Sequence, residues 1–222
     1  MQKYELINIT KIINDNIILE KVNLKLERGK VYGLIGENGS GKTMLLRLMA
    51  GLIKPTGGKI VIDGKPCNLM KSKNINIGIL IENIGLYPEL TGTENLKYLA
   101  SINKTVTRED INHILKAVGL DPEDGKKVRK YSLGMRQKLA IAQCFMESPD
   151  LILMDEPTNA LDEDSVVKVL QLINTQAQRG AIVFIVSHIK ENIFSVCDTI
   201  FSIKDGHISE VEKWKNFLLY LL

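Results

Sequence analysis

The sequence predicts an α/β fold in which a β-rich core is split by a block of helices, and three observations predict it. Residues 31–35 form an apolar run of strand length, and those at 151–154 and 182–186 read as strands buried on both faces, the pattern of a parallel sheet. The first 88 residues are otherwise mostly β in texture. From residue 89 to about 147 the apolar spacing turns helical. A chain of 222 residues has room for one such core with a smaller subdomain, whereas two full domains would be cramped. The expected organisation is therefore a single domain over 1–222, with 1–88 and 148–222 forming the core and about 89–147 the helical insert.

Composition narrows the class. Hydrophobic residues at 45% and charged residues at 25% suit a soluble globular chain rather than a disordered or membrane-spanning one. A net charge of +3, from 29 basic and 26 acidic side chains, is too small for a nucleic-acid footprint, so no nucleic-acid partner is expected. Cys67, Cys144 and Cys197 are far apart and lack any C-x-x-C or Cys/His ligand spacing, and they read as reduced, mostly buried thiols. Nothing at the amino terminus resembles a signal peptide, and the longest apolar runs fall far short of the ~20 residues that span a bilayer. A cytoplasmic protein is expected.

Taken in order, residues 6–9 and 17–26 read as strands, and the run at 31–35 ends in a glycine-rich loop. A helix follows from Lys42, with Leu45, Leu48, Met49 and Leu52 at helical spacing and Gly51 and Pro55 marking its end. Asp63-Gly64 signals a tight turn between two short β runs, and 77–81 is a further strand. Thr91 and Glu94 stand in capping-box spacing ahead of Leu96, Leu99 and Ile102. Thr107 caps a second helix that ends at Gly119, and a third opens near Ser132 and runs to about Glu147. Beyond the last two buried strands, Asp205-Gly206 turns a hairpin, and the tail carries Trp214, Phe217, Leu218 and Leu221 at helical spacing.

Chemistry concentrates in three places. Gly36-Glu37-Asn38-Gly39-Ser40-Gly41-Lys42-Thr43 follows a strand and opens a helix, which is where a phosphate-binding loop has to sit. Its glycines let backbone N–H groups wrap a phosphate, and the helix dipole favours the anion. Lys42 supplies charge to the β and γ phosphates of ATP, and Thr43 offers a hydroxyl to Mg²⁺. Second, the strand at 151–154 delivers Asp155 and Glu156 at its exit. Beside a phosphate loop, Asp155 is the expected Mg²⁺ ligand, directly or through water, and Glu156 the group that orients and deprotonates the attacking water. The plain alternative is an exposed acidic pair at a strand end. Third, Tyr131-Ser132-Leu133-Gly134-Met135-Arg136-Gln137 lies directly ahead of a helix. A serine and a glycine at a helix start make an anion site, yet Ser132 as a simple N-cap accounts for the same pattern without any function.

At these residues the chain resembles the ATP-binding subunits of ABC transporters. Their signature usually reads LSGGQ; Ser132 and Gly134 match it, while Tyr131, Leu133 and Met135 depart from it. The order of motifs matches too, with Asn159-Ala160-Leu161-Asp162 as the D-loop and His188 as the switch histidine, over nearly the whole chain. The resemblance implies a P-loop NTPase core with a mixed β-sheet, an antiparallel β subdomain and an inserted α-helical subdomain. It implies ATP hydrolysis with Mg²⁺, Glu156 as base and His188 near the γ-phosphate. It further implies head-to-tail pairing with a second copy or a related ATPase. In such a pair Ser132 and Gly134 of one subunit, with Asp162 nearby, complete the nucleotide site of the other. Separate membrane-spanning transporter subunits would hold the chain on the inner face of the cell membrane.

Two departures narrow the resemblance. Glu82 stands where the family usually has a glutamine that offers an oxygen to Mg²⁺ or its water, and the added charge should bind metal more strongly while repelling the γ-phosphate. The stretch Ile81-Glu82-Asn83-Ile84-Gly85-Leu86-Tyr87-Pro88-Glu89-Leu90-Thr91 looks like the ATPases of lantibiotic-immunity and bacitracin-resistance exporters, which implies export of an antimicrobial peptide or similar amphiphile. Ile13 occupies the position of the family's adenine-stacking aromatic, so base selectivity is expected to be weaker. The cluster Lys126, Lys127, Arg129 and Lys130 reads as a solvated loop, with contact to a partner or to lipid headgroups as its alternative. A soluble ABC-type ATPase acting on DNA or ribosomes is the reading from a different class. Such proteins typically carry two ATPase modules or a long coiled-coil insert, and this chain has neither.

Overall fold

A computed structural model of the chain describes residues 1–69, 75–81, 85–188 and 195–211. Ten strands and five α-helices are defined among them: β1 (Lys3–Ile13), β2 (Asn16–Glu27), β3 (Val31–Gly36), α1 (Lys42–Met49), β4 (Gly57–Ile62), β5 (Lys65–Cys67), β6 (Ile77–Leu80), α2 (Gly92–Asn103), α3 (Arg108–Ala117), α4 (Leu133–Phe145), β7 (Leu151–Asp155), α5 (Glu163–Gln178), β8 (Ile182–Val186), β9 (Thr199–Lys204) and β10 (His207–Val211). A short 3₁₀ turn, Val128–Lys130, precedes α4.

The strands form two sheets. The smaller has the order β2-β1-β4-β5 and is antiparallel. The larger has the order β10-β9-β3-β8-β7-β6, parallel from β9 to β6, with β10 antiparallel at its edge. This is the mixed sheet with a separate antiparallel unit and inserted helices that the motifs implied.

The apolar runs explain the layering. Leu151, Leu153, Ile182, Phe184 and Val186 pack into one core with β1, β2 and α1, while Ile152, Met154, Val183 and Ile185 pack into a second core with α2 to α5. Alternate side chains of β7 and β8 thus enter opposite layers, which is why residues 151–154 of β7 and the whole of β8 are apolar instead of alternating. The two cores together fix the exits of β3, β7 and β8 on one edge of the sheet.

Local signals in the helical stretch hold as read. The Thr91 hydroxyl accepts from the Glu94 N–H at 3.2 Å and the Glu94 carboxylate in turn accepts from the Thr91 N–H at 2.8 Å; Thr107 and Asp110 repeat the arrangement for α3. Asn95, fully buried, donates to the carbonyls of Tyr87 and Thr91 and accepts from the Tyr87 N–H, pinning the segment ahead of α2. Lys127 and Arg129 both face Glu89, at 3.5 and 3.1 Å, on the exposed side of that segment. The thiols are free; Cys144 and Cys197 are buried and Cys67 partly so. Burial pushes the Cys144 thiol up, far from ionisation at neutral pH.

Three differences from the sequence reading are informative. Strands β1 and β2 begin earlier and run longer, because β1 is paired on both sides, by β2 and by β4, and that backbone ladder extends through the polar residues at its start. Helix α5 was not expected: its buried stripe, Ser165, Val169, Ile173, Gln176 and Ala177, mixes polar with apolar residues, and Val167 is 53% exposed, so the helical period is blurred. Glu82 and the apolar tail with Trp214, Phe217, Leu218 and Leu221 lie outside the described residues. Among the described residues, no helix is long and apolar enough to cross a membrane.

Candidate nucleotide site

The loop between β3 and α1 folds as its glycines dictate. Gly39 (φ 81°) and Gly41 (φ 100°) take left-handed conformations that place successive backbone N–H groups inward, and Gly41 leads directly into α1. Lys42 is nearly buried, and its ammonium donates to the carbonyls of Gly36 and Glu37, both at 2.7 Å. The loop therefore closes on its own lysine. Ser40 Oγ is buried without a hydrogen-bond partner, as expected of a donor that awaits an anion.

Across the cavity, β7 delivers its two carboxylates. Thr43 Oγ1 donates to Asp155 Oδ2 at 2.7 Å, although the residues are 112 positions apart. Glu156 leaves the strand with φ 49°, a left-handed conformation, while its N–H still bonds to the Val186 carbonyl at 2.9 Å. The carboxylate is turned back toward β8, where Glu156 Oε1 accepts from the His188 N–H at 2.9 Å and lies 2.8 Å from His188 Nδ1. Its other oxygen, Oε2, is buried without a partner. One oxygen is thus held by the histidine and the other is left for a ligand or a water.

These groups line a cavity of about 660 Å³, within the usual range for small-molecule sites. Lys42, Thr43, Asp155 and Glu156 contribute its polar wall, and Ile18 and Met44 its apolar side. Ile13, 38% exposed at the tip of the β1–β2 hairpin, is not among the lining residues, whereas Ile18, Leu80 and Ile81 are. Asn159 and Gln137 also line the cavity, and the sequence reading gave neither a role of its own.

A protein-family profile described as ABC transporter matches residues 19–159. The chain belongs to the ABC transporter family. It is an ATP-binding subunit and an ATP hydrolase of that family. An ABC transporter ATP-binding protein of Bacillus subtilis (strain 168), YybJ, is 43% identical over 94% of this chain and 96% of its own length. The bacitracin transport ATP-binding protein BcrA of Bacillus licheniformis is 38% identical over 91% of this chain and 67% of its own. Among solved structures, the ABC transporter cassette MJ0796 is similar both in a dimeric form (TM-score 0.84, 30% identity, 95% of this chain and 98% of that one) and in a dimeric post-hydrolysis state bound to ADP and Pi (TM-score 0.85, 28% identity, the same coverage). These relatives are transporter subunits and speak for the transporter reading over a DNA- or ribosome-bound ATPase.

In this ABC ATPase the signature residues stand apart from the cavity of their own chain. Ser132 is exposed and caps α4, its Oγ accepting from the Met135 N–H at 3.2 Å. Gly134 lies against the stretch after β7, where an added Cβ would come 2.8 Å from the Ala160 carbonyl oxygen. Neither lines the cavity. Asp162 caps α5 through the Ser165 N–H (2.9 Å) and hydroxyl (2.8 Å), and these bonds hold its carboxyl below the usual carboxylate range.

Proposed function

We propose that this chain is the motor of an exporter, pairing with a second copy or a related ATPase and driving separate membrane-spanning subunits. The observation that carries the reading is the convergence of the loop lysine, the Thr43–Asp155 pair and the His188-held carboxylate of Glu156 on one cavity. Gly36 to Thr43 hold the triphosphate: Glu37, Asn38, Gly39 and Gly41 through the backbone, Ser40 through its unpaired hydroxyl and Lys42 through its charge. The Thr43 hydroxyl beside the Asp155 carboxylate is a fitting oxygen pair for Mg²⁺, with Glu82 as a third oxygen. When bound, Mg²⁺ offsets charge on the β and γ phosphates. Glu156 takes a proton from the attacking water, and His188 fixes the carboxylate from behind.

Ser132, exposed, and Gly134, part-buried, both at the start of α4 and away from their own cavity, serve the site of the opposite subunit, as does Asp162. Residues 89–147 act as the unit that carries them. With Ile13 and Ile18 in place of an aromatic, base selectivity is weak. GTP is expected to displace a fluorescent ATP analogue within about fivefold of the ATP concentration needed. Much stronger discrimination against GTP in that titration would overturn this part.

The membrane partner is proposed to dock beside β6, the last strand of the larger sheet, in the groove between α2 and α4 lined by Leu99 and by Ile102, which is 70% exposed. The resemblance to bacitracin and lantibiotic transport ATP-binding proteins supports an amphiphilic peptide as cargo. Purification from native membranes tests the whole: a polytopic membrane protein should co-purify with the parent chain. Ile102→Asp should lose it while keeping ATP binding. Retention of the partner by that variant would move the docking face elsewhere, and co-isolation with ribosomes or DNA instead would defeat the exporter reading.

A further inference from the structure

Helix α4 presents Gly134, Gln137 and Lys138 along one face, at the i, i+3 and i+4 spacing that aligns side chains in a helix. That face meets the stretch that follows β7 at three points. Gln137 Nε2 donates to the carbonyls of Glu156 (3.3 Å) and Pro157 (3.1 Å). Gly134 admits the Ala160 carbonyl, and Lys138 Nζ lies 3.8 Å from Asp162 Oδ2. The stretch needs such support, because Glu156 (φ 49°) and Ala160 (φ 62°) both adopt left-handed conformations that non-glycine residues hold only when their surroundings impose them.

The Glu156 contact is the consequential one. Its side chain leaves a backbone whose N–H is fixed to β8 and whose carbonyl is held by Gln137 and by the Asn159 N–H at 3.2 Å. Two carbonyl acceptors facing one amide require its NH₂ group to point at them, which fixes the Gln137 orientation. We infer that Gln137 is a positioning residue for hydrolysis, holding the Glu156 carboxylate in register with the cavity and tying that register to the orientation of α4. The helical unit thereby reaches the carboxylate of its own chain through one amide, besides reaching the site of a second subunit through Ser132. This inference rests on Glu156 being the base.

The test compares Gln137→Met, which keeps length and bulk without the donor, with the parent chain and with Glu156→Gln. Single-turnover hydrolysis, steady-state kcat and KM, binding of a fluorescent ATP analogue and thermal melting are read on each. Gln137→Met is expected to lower kcat by about tenfold to a hundredfold, with KM and ATP affinity held within about twofold. In the Glu156→Gln background the same change should cost nothing further, because a group that acts through Glu156 has nothing left to position. Turnover within about twofold of the parent would overturn the inference, as would a loss of ATP affinity parallel to kcat or an equal loss in both backgrounds. Should Gln137→Met fail to fold, Gln137→Asn, one methylene too short for the carbonyls, is read in the same way. Parent-like turnover in Glu156→Gln alone would remove the base assignment itself, whereas an inactive Glu156→Gln beside a fully active Gln137→Met would remove only the role of Gln137.

Discussion

Glu156→Gln is expected to lower single-turnover ATP hydrolysis by about 10² to 10³-fold while ATP affinity stays within about twofold of the parent. The substitution is nearly isosteric, and the left-handed backbone at φ 49° is no harder for glutamine than for glutamate, so the fold should be retained. The amide oxygen can still accept from the His188 N–H and Nδ1, the two contacts that orient the glutamate. What disappears is the charge and with it the ability to take a proton from water. Binding without turnover should let the ATP-bound pair of subunits accumulate, visible as a doubled mass by light scattering with ATP and Mg²⁺. Turnover within about threefold of the parent would show that another group is the base.

Lys42→Ala should act one step earlier. Charge-assisted hydrogen bonds to a buried ammonium contribute about 1.5–3 kcal/mol each, so removing this group should weaken ATP binding by roughly 10² or more. It also strips the carbonyls of Gly36 and Glu37 of the donor that closes the loop, both at 2.7 Å. A small drop in melting temperature should therefore accompany the binding loss, unlike the effect at Glu156. Lys42→Arg restores charge but not function, because a planar guanidinium cannot occupy the space of a compact ammonium between two carbonyls of one turn. A titration with a fluorescent ATP analogue decides it: affinity of Lys42→Ala within about threefold of the parent would mean that backbone N–H groups alone hold the phosphates.

The two variants separate what local sequence could reveal from what it could not. The loop around Lys42 is legible because its geometry is set by glycines and by the helix that follows, within eight neighbouring residues. The caps at Thr91 and Thr107 are legible for the same reason, since each bonds a residue three positions on. Strands β7 and β8 announce themselves because burial on both faces leaves no polar position in 151–154 or 182–186. Helix α5 failed to do so because Ser165 and Gln176 sit on its buried face while Val167 faces water, and tertiary packing, not amphipathic period, decides that helix. The place of Ile13 in the family pattern says which residue to expect at the base, whereas the aliphatic side chains of Ile18, Leu80 and Ile81 line the cavity only because the fold brings β2 and the exit of β6 to it.

The sequence by itself determined that this chain carries a phosphate loop, a carboxylate pair at a strand exit and a family signature, because those depend on residue type and short spacing. Only the tertiary structure decided that β3 lies between β8 and β9, which sets the loop against β7 and brings Thr43 to Asp155. It also decided that His188 holds one oxygen of Glu156 and that Gln137 holds its carbonyl. These pairs are separated by 112, 32 and 19 positions, and over such distances it is sheet order and helix packing, not spacing along the chain, that bring two polar groups together.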